Sequence, residues 1–421
     1  MPARDPLPAR DTRQPCSLRL RLVVPGNVRH NSGGNVYNAA LARELAVLGV
    51  DVETCPLDGG WPVGSAADRR RLAALLCDDG GAPGSTGAGQ AVTIVDGLLA
   101  CGAPDELAAA AAAGRPAWIL LHMPLDDSGQ DEAGLESRAL RSAAGVICTS
   151  TSAAASIRAR HGLDGIRVAL PGTDTAALAS GSEPPHLLAV AALLPNKDQA
   201  LLLAALSALT DLPWTASLIG SDTADPTYAA QLRDTVTRME LQDRIRIPGE
   251  LRGRALEAEW ASSDLSLLIS QAETFGLVVT ESIARGVPVV VRAGTGAVEA
   301  LAAGTPDPAP AQWPAAVPTP TPAAAPTAEH GTAILPGTAV ALGADPAPLA
   351  EVLRQWLSET ALRTRWRAAA VDARDRLPGW DATARTVLEA VNPEHPAGPP
   401  LTPAEEKPAA EDSPAAQAVG Q

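Results

Sequence analysis

Lysine is almost missing from this chain of 421 residues, because arginine supplies nearly all of its 33 basic side chains and only Lys197 and Lys407 break the pattern. Such a bias, in a chain also rich in Ala, Pro and Gly, fits a GC-rich coding background. Lys407 lies in a polar C-terminal stretch, so any chemistry needing a flexible ammonium group in a folded region falls to Lys197. Long hydrophobic runs are missing too. No apolar stretch approaches the roughly 20 residues of a membrane span, and the N-terminal MPARDPLPARDTRQPCS lacks the hydrophobic centre of a signal peptide. A cytoplasmic chain without an integral membrane segment is expected. The five cysteines, Cys16, Cys55, Cys77, Cys101 and Cys148, are odd in number, scattered, and form no CxxC or Cys/His cluster, which excludes a zinc set and a disulfide framework. They read as reduced, mostly buried filler. The sequence also holds no P-loop, no clear catalytic triad, no G-x-G-x-x-G for an ordinary NAD site and no D-x-D pair to hold a divalent ion on a diphosphate. A formal net charge of −15 opposes nucleic acid or anionic lipid as a general partner.

The length and an apolar share of 46% suit two compact domains. Residues 1–17 read as a loose leader. Strands are expected at 18–24, 50–55, 92–96, 117–122, 146–150 and 167–170, and again at 187–193, 215–219, 244–247, 265–270, 287–291 and 332–335. Each is nearly continuous in Val, Ile and Leu, and helical stretches separate them. That alternation predicts two α/β units with parallel sheets covered on both faces. The pattern breaks at Gly181-Ser182-Glu183-Pro184-Pro185, which divides 18–181 from 186–378. A Pro/Ala-rich insertion occupies 304–328, a helix is expected at 380–391, and 392–421 read as a disordered tail.

In open parallel sheets, ligands lie beyond the C-terminal ends of the strands. Gly33 and Gly34 stand in the loop after the first strand, at the entrance of a helix expected from about Val36 to Leu48, where backbone can approach a ligand closely and a negative group is favoured. His122 closes the strand Trp118-Ile119-Leu120-Leu121, with His30 in the first loop a weaker candidate of the same kind. Lys197 follows the first strand of the second half. The run Ser270 to Val290 then reads as strand end, loop, short helix and strand. Glu273 stands in its loop and Glu281 about one turn into the helix, tilted back toward the loop so that the two acids share one cavity. The first-turn amides of Phe275, Gly276 and Leu277 lack intrahelical partners and suit a phosphate. Taken alone, the segment reads equally well as a solvated helix with two surface glutamates.

Taken together, these features resemble glycosyltransferase family 4. The resemblance rests on Glu273-Thr274-Phe275-Gly276 with Glu281 and Gly286-Val287-Pro288-Val289-Val290. It is supported in register by Ser32-Gly33-Gly34, His122, Pro171-Gly172-Thr173-Asp174, Lys197 and Ile247-Pro248-Gly249, and covers roughly residues 18–391. It implies the GT-B fold, two facing Rossmann-like domains across a cleft, with the 379–391 helix crossing back onto the N-terminal domain. It also implies retaining transfer of a sugar from a nucleotide-diphosphate donor to a small-molecule, glycan or lipid-linked hydroxyl. By the same resemblance Lys197 binds the diphosphate, Glu281 the ribose hydroxyls and Glu273 the sugar hydroxyls. Thr274, Phe275, Gly276 and Leu277 line the sugar and phosphates, Gly33 and Gly34 sit in the loop touching the diphosphate, His122 is an active-site histidine, and the base lies near Pro248, Gly249 and Leu251.

One position departs from the family, which often has an arginine where this chain has Ala192. Arg292 and Arg252 are the candidate substitutes. No metal or other cofactor is expected, and the catalytic group comprises His122, Lys197 and Glu273. Two other readings stay open: a catalytically weak or inactive nucleotide-sugar binder, and a nucleotide-sugar epimerase of the same fold.

Overall fold

The computed structural model describes residues 18–27, 32–78, 91–125, 130–306 and 334–392. The expected leader, His30, most of the 304–328 insertion and the tail after Asn392 lie outside the described residues.

The first half runs β1 (Arg19–Pro25), α1 (Gly33–Val47), β2 (Asp51–Leu57), α2 (Ala66–Cys77), β3 (Val92–Asp96), α3 (Gly97–Ala100), α4 (Pro104–Ala112), β4 (Trp118–Leu121), α5 (Gln130–Ser142), β5 (Gly145–Cys148), α6 (Thr151–His161) and β6 (Arg167–Val168). The second runs β7 (His186–Val190), a single 3-10 turn (Pro195–Lys197), α7 (Gln199–Ser207), β8 (Thr215–Ile219), α8 (Pro226–Arg238), β9 (Ile245–Gly249), α9 (Arg254–Ser262), β10 (Leu265–Leu268), α10 (Leu277–Ala284), β11 (Val289–Arg292), α11 (Ala297–Ala302) and β12 (Gly337–Val340). Helices α12 (Ala347–Ser358), α13 (Thr360–Arg374) and α14 (Trp380–Val391) follow.

Each half builds one six-stranded parallel sheet, ordered β2-β1-β3-β4-β5-β6 and β12-β11-β10-β7-β8-β9. β4, β5, β10 and β11 are buried at every residue, as strands covered on both faces must be. The order reverses between β1 and β3 in the first sheet and between β7 and β10 in the second. Those reversals open crevices at the strand C-termini, where α/β sheets hold ligands.

α14 belongs by packing to the first sheet. Trp380, Ala384 and Val387 share one core with Tyr37, Leu41 and Leu45 of α1 and with Leu20 and Leu22 of β1. Polar contacts fix its entry. Thr173 N–H donates to Pro378 O (2.8 Å) and Thr383 Oγ1 to Leu170 O (2.7 Å). Gly172 is required there, since a Cβ would lie 2.2 Å from Trp380 N.

Three expectations are corrected. The last strand is Gly337–Val340, not 332–335. Pro336 offers only its carbonyl, which accepts Val289 N–H at 2.9 Å, and pairing begins at Gly337, where a Cβ would sit 1.8 Å from Val289 O. α1 starts at Gly33, earlier than its first apolar residue, because Ser32 accepts Asn35 N–H and caps the helix there. Of the cysteines, Cys101 and Cys148 are buried, Cys55 is partly buried and Cys77 is exposed, so filler describes only some of them.

Candidate active site

Lys197 and Glu273 flank the crevice of the second sheet, one after β7 and the other after β10, and their side chains meet. Lys197 Nζ lies 2.6 Å from Glu273 Oε1, with 22% and 16% of the two side chains exposed. The lysine gains its position from the 3-10 turn, which ends on Asp198 in the left-handed region at φ 58°. Asp198 in turn holds Arg292 in an ion pair, and Arg292 also donates to Ile269 O and Leu342 O at 2.8 and 2.6 Å. Arg292 is thus a buried brace between strand ends. It does not replace a cation at Ala192, and Arg252 is held by Glu250 at 2.8 Å. The expectation of a second cation from either residue is withdrawn, which leaves Lys197 and the backbone dipoles beside it.

Those dipoles converge. Gly276 caps α10 at φ 86°, a conformation that costs glycine little, and the N–H groups of Phe275, Gly276 and Leu277 donate to no described residue. Phe275 anchors the turn in a core with Leu268, Val279 and Ala297. Across the cleft, α1 begins at Gly33, whose Cβ position lies 3.7 Å from Leu277 Cδ1. Leu277 packs against the cores of both halves. Two helix N-termini, each the positive end of its dipole, therefore meet at one place.

His122 closes the N-terminal side of the site. A Cβ at Gly34 would approach its Cδ2 to 3.2 Å, so the glycine leaves room for the ring. His122 Nε2 lies 2.9 Å from Asn38 Oδ1 and 3.3 Å from Asp96 Oδ2, and Asn38 Nδ2 donates to the same Asp96 oxygen at 2.7 Å. Asp96 is 4% exposed. Burial pushes its carboxyl up, but the charge of His122, with hydrogen bonds from His122, Asn38 and Leu98 N–H, outweighs burial and holds it below the usual carboxylate range. When the ring is neutral, a proton on Nε2 donated toward these acceptors leaves Nδ1 as an acceptor. The ring edge packs on Tyr37, at 5.1 Å between centroids, and Tyr37 on Trp380 of α14 at 5.5 Å.

The two acids do not share one cavity. A cavity of about 280 Å³ between the halves is lined by Glu273 and Thr274 but not by Glu281. Glu281 is five residues into α10, and its charged neighbours are Arg285, Glu257 and Asp174. Its carboxylate accepts no hydrogen bond from the described residues, and burial pushes the carboxyl above its ordinary value. Glu273 and Glu281 therefore serve separate ends of the segment. Pro248 and Gly249 end β9, and Leu251 packs beside Val278 of α10 in a small core with Leu188, Ile219 and Trp260. That places the 248–251 turn at the far side of α10 from Glu273.

Four residues of the site went unread in the sequence. Asp96 ends β3 at the same sheet edge that singled out His122, and the same rule applied to β3 finds it. Asn38 lies one turn beyond Gly34 and carries no motif. Gly296, in the turn Gly294-Thr295-Gly296 after β11, donates its N–H to Glu273 O at 2.7 Å, and a Cβ there would lie 1.8 Å from Thr274 O. Glu299 of α11 reaches the start of α6, a contact between residues 148 apart that no local pattern announces.

Comparison with known proteins agrees with the fold. Residues 173–307 match the family model described as glycosyl transferases group 1. Over 130 residues the chain is 30% identical to mannosylfructose-phosphate synthase of Agrobacterium fabrum, a match covering 30% of this chain and 29% of that enzyme. Among solved structures, HepE of Anabaena in complex with UDP and glucose aligns over 89% of this chain and 99% of its own, at 18% identity and a TM-score of 0.63. Sucrose-phosphate synthase of Thermosynechococcus elongatus aligns over 88% and 98%, at 18% identity and a TM-score of 0.64. The matched segment contains Lys197, the 248–251 turn, Glu273 and Glu281. The chain has the GT-B fold and carries a group 1 glycosyltransferase domain over most of its second sheet.

Proposed function

We propose that this chain is a retaining glycosyltransferase of family 4 that moves a sugar from a nucleotide-diphosphate donor to a hydroxyl acceptor without a metal ion. The observation that carries the reading is the convergence of two open helix N-termini, at Gly33 and Leu277, beside the Lys197–Glu273 pair. Amides and an ammonium suit a diphosphate, while a carboxylate suits neutral hydroxyls. The donor would exchange the resting pair for itself, its diphosphate taking Lys197 and its sugar hydroxyls taking Glu273. Glu281, with no hydrogen-bond donor of its own among the described residues, would receive the ribose hydroxyls, and the base would lie by Pro248, Gly249 and Leu251.

In the transfer step the bond from the anomeric carbon to the diphosphate oxygen breaks, and a bond to the acceptor oxygen forms on the same face. The acceptor's proton leaves with the diphosphate. Charge grows on the departing oxygen, where Lys197 and the first-turn amides stabilise it without reorganising. His122, oriented by Asn38 and Asp96, offers Nδ1 to a hydroxyl of the sugar held between the halves. HepE was solved with UDP and glucose, which makes UDP-sugars the first donors to screen.

The test pairs binding with turnover. A thermal-shift screen of UDP-, GDP-, ADP- and dTDP-sugars finds the donor, since a ligand that binds only the folded state raises its melting temperature. Lys197→Ala and Glu273→Ala are then expected to lose about 10²-fold or more in transfer with the fold intact, and wild-type transfer to persist in EDTA. Wild-type rates in either variant sink the assignment. Ala192 and the commitment of Arg292 favour a second reading, a nucleotide-sugar binder. It would show saturable donor binding with no release of nucleotide.

A further inference from the structure

One wall of the cavity between the halves has a chemistry that no motif assigns. It consists of Met123, Pro124 and Leu125 after β4, and of Ser152, Ser156 and Arg160 on α6. Two of the usual parts of a phosphate seat are here, a helix N-terminus and an arginine. Both are already occupied.

The cap of α6, Ser150, accepts Ala153 N–H at 2.9 Å, which leaves the amides of Thr151 and Ser152 as open donors. Glu299, from α11 of the other half, takes them. Its carboxylate accepts Thr151 N–H at 3.1 and 3.0 Å, Ser152 N–H at 3.4 Å and Thr151 Oγ1 at 2.5 Å. Arg160 is the one cation among the described residues that line the cavity. It donates to Leu125 O at 2.7 Å and lies 3.0 Å from Glu136, a carboxylate whose side chain is 0% exposed. Its charge is matched from within the protein. A phosphorylated ligand entering here would lie against Ser152, whose amide the Glu299 carboxylate accepts from behind the cavity wall, with no unmatched cation on this wall to offset the repulsion. The groups left for a ligand are the hydroxyls of Ser152 and Ser156 and the apolar surface of Met123, which is 60% exposed. Hydroxyls beside an apolar rim recognise an uncharged polyol or sugar.

We propose that the acceptor held in this cavity is an uncharged, polyhydroxylated molecule, and that Glu299 is the specificity-determining residue that turns phosphorylated acceptors away. The inference rests on the transfer reaction proposed above. It also separates this chain from what the names of its sugar-phosphate-synthesising relatives suggest.

The experiment has two arms. In the first, the full chain and its Glu299→Gln and Glu299→Ala variants are titrated with inorganic phosphate and with glucose 6-phosphate by calorimetry. Both variants are expected to bind these probes at least about tenfold more tightly than wild type, because they remove a like charge from the helix end. Glutamine keeps an oxygen for Thr151, so a gain there does not depend on loosening the two halves. Equal binding by wild type and Glu299→Gln overturns the proposal. In the second arm, the donor found by thermal shift is offered with a panel of neutral sugars and polyols and with their monophosphates. Transfer is expected to favour the neutral members at least about tenfold, and preferred transfer to a monophosphate overturns the proposal. If no nucleotide sugar binds the chain, the transfer reading has failed, whereas the phosphate titration still decides what Glu299 does.

Discussion

Glu281 sits where an ionised carboxylate costs the fold free energy. Burial raises its carboxyl above the ordinary value of 4.5, and the nearby Glu257 and Asp174 add to the rise against Arg285. A raised acid takes up a proton on folding, so the destabilisation is complete above the folded value and vanishes as pH falls below about 4.5. Glu281→Gln is therefore expected to melt at a higher temperature than wild type at pH 7, with the gap closing toward pH 4. If Glu281 receives the ribose hydroxyls as proposed, the same variant should bind its nucleotide sugar about tenfold more weakly, since a charged acceptor is gone. Thermal melts across pH, with and without donor, check both halves. A variant no more stable at pH 7 would show that the carboxylate is stabilised by something other than the described residues.

At this scale the sequence is legible wherever chemistry coincides with a strand end. His122 and Lys197 stand out because a polar residue closes an apolar run, and Glu273 and Glu281 because they bracket a helix start. Asn38 is silent, being one more polar residue in a helix, and it gains meaning only through its contacts with Asp96 at 2.7 Å and His122 at 2.9 Å. The substitutes considered for Ala192 failed for a related reason. A guanidinium's reach can be read from a sequence, but its existing partners cannot.

α10 depends on two glycines that do different work. Gly276 supplies a positive φ, and a Cβ there would also lie 2.7 Å from Leu268 Cδ2. Gly276→Ala is expected to destabilise the chain by about 1–3 kcal/mol, combining backbone strain with crowding. It should also tilt the amides of the first turn and weaken donor binding. Urea denaturation reads the first effect as a lower midpoint at unchanged slope, and donor-induced stabilisation reads the second. An alanine that leaves both intact would mean that the turn adapts and that the amides do not set affinity. Gly296 acts at one remove, since its lack of a side chain lets the 273–274 backbone lie flat against the turn after β11. Local pattern announces the α10 turn, because Gly-Leu-Val-Val is a helix start after a polar loop. The brace at Gly296 comes from a different strand, and its contact is tertiary.

Across the whole molecule, strand alternation makes both parallel sheets readable, and the break near Gly181 separates them. Strand order is not in the pattern, yet it decides which loops share a crevice. The contact between Glu299 and α6 likewise depends on how the halves face each other, which no periodicity encodes. α14 is the element whose place matters most beyond its own half, because Trp380 supports Tyr37 and Tyr37 supports the ring of His122. Trp380→Ala empties a site that is 5% exposed and is expected to cost about 3–5 kcal/mol. Transfer should also fall as His122 loses its backing. Chemical denaturation and donor turnover measured on the same preparation test the link. Lost stability with unchanged turnover would show that Tyr37 holds the histidine without help.

The route of α14 bears on how the chain is made. Thr383 and Leu170, which it joins, are 213 residues apart. A chain emerging from its N-terminus completes the strands of the first sheet long before the helix that covers the apolar faces of α1 and β1. Through that interval the first half carries an open hydrophobic seam while the second sheet, with its own core, is still being made. The half that carries His122 is thus made before the second sheet and finished after it, and its folding waits on α14.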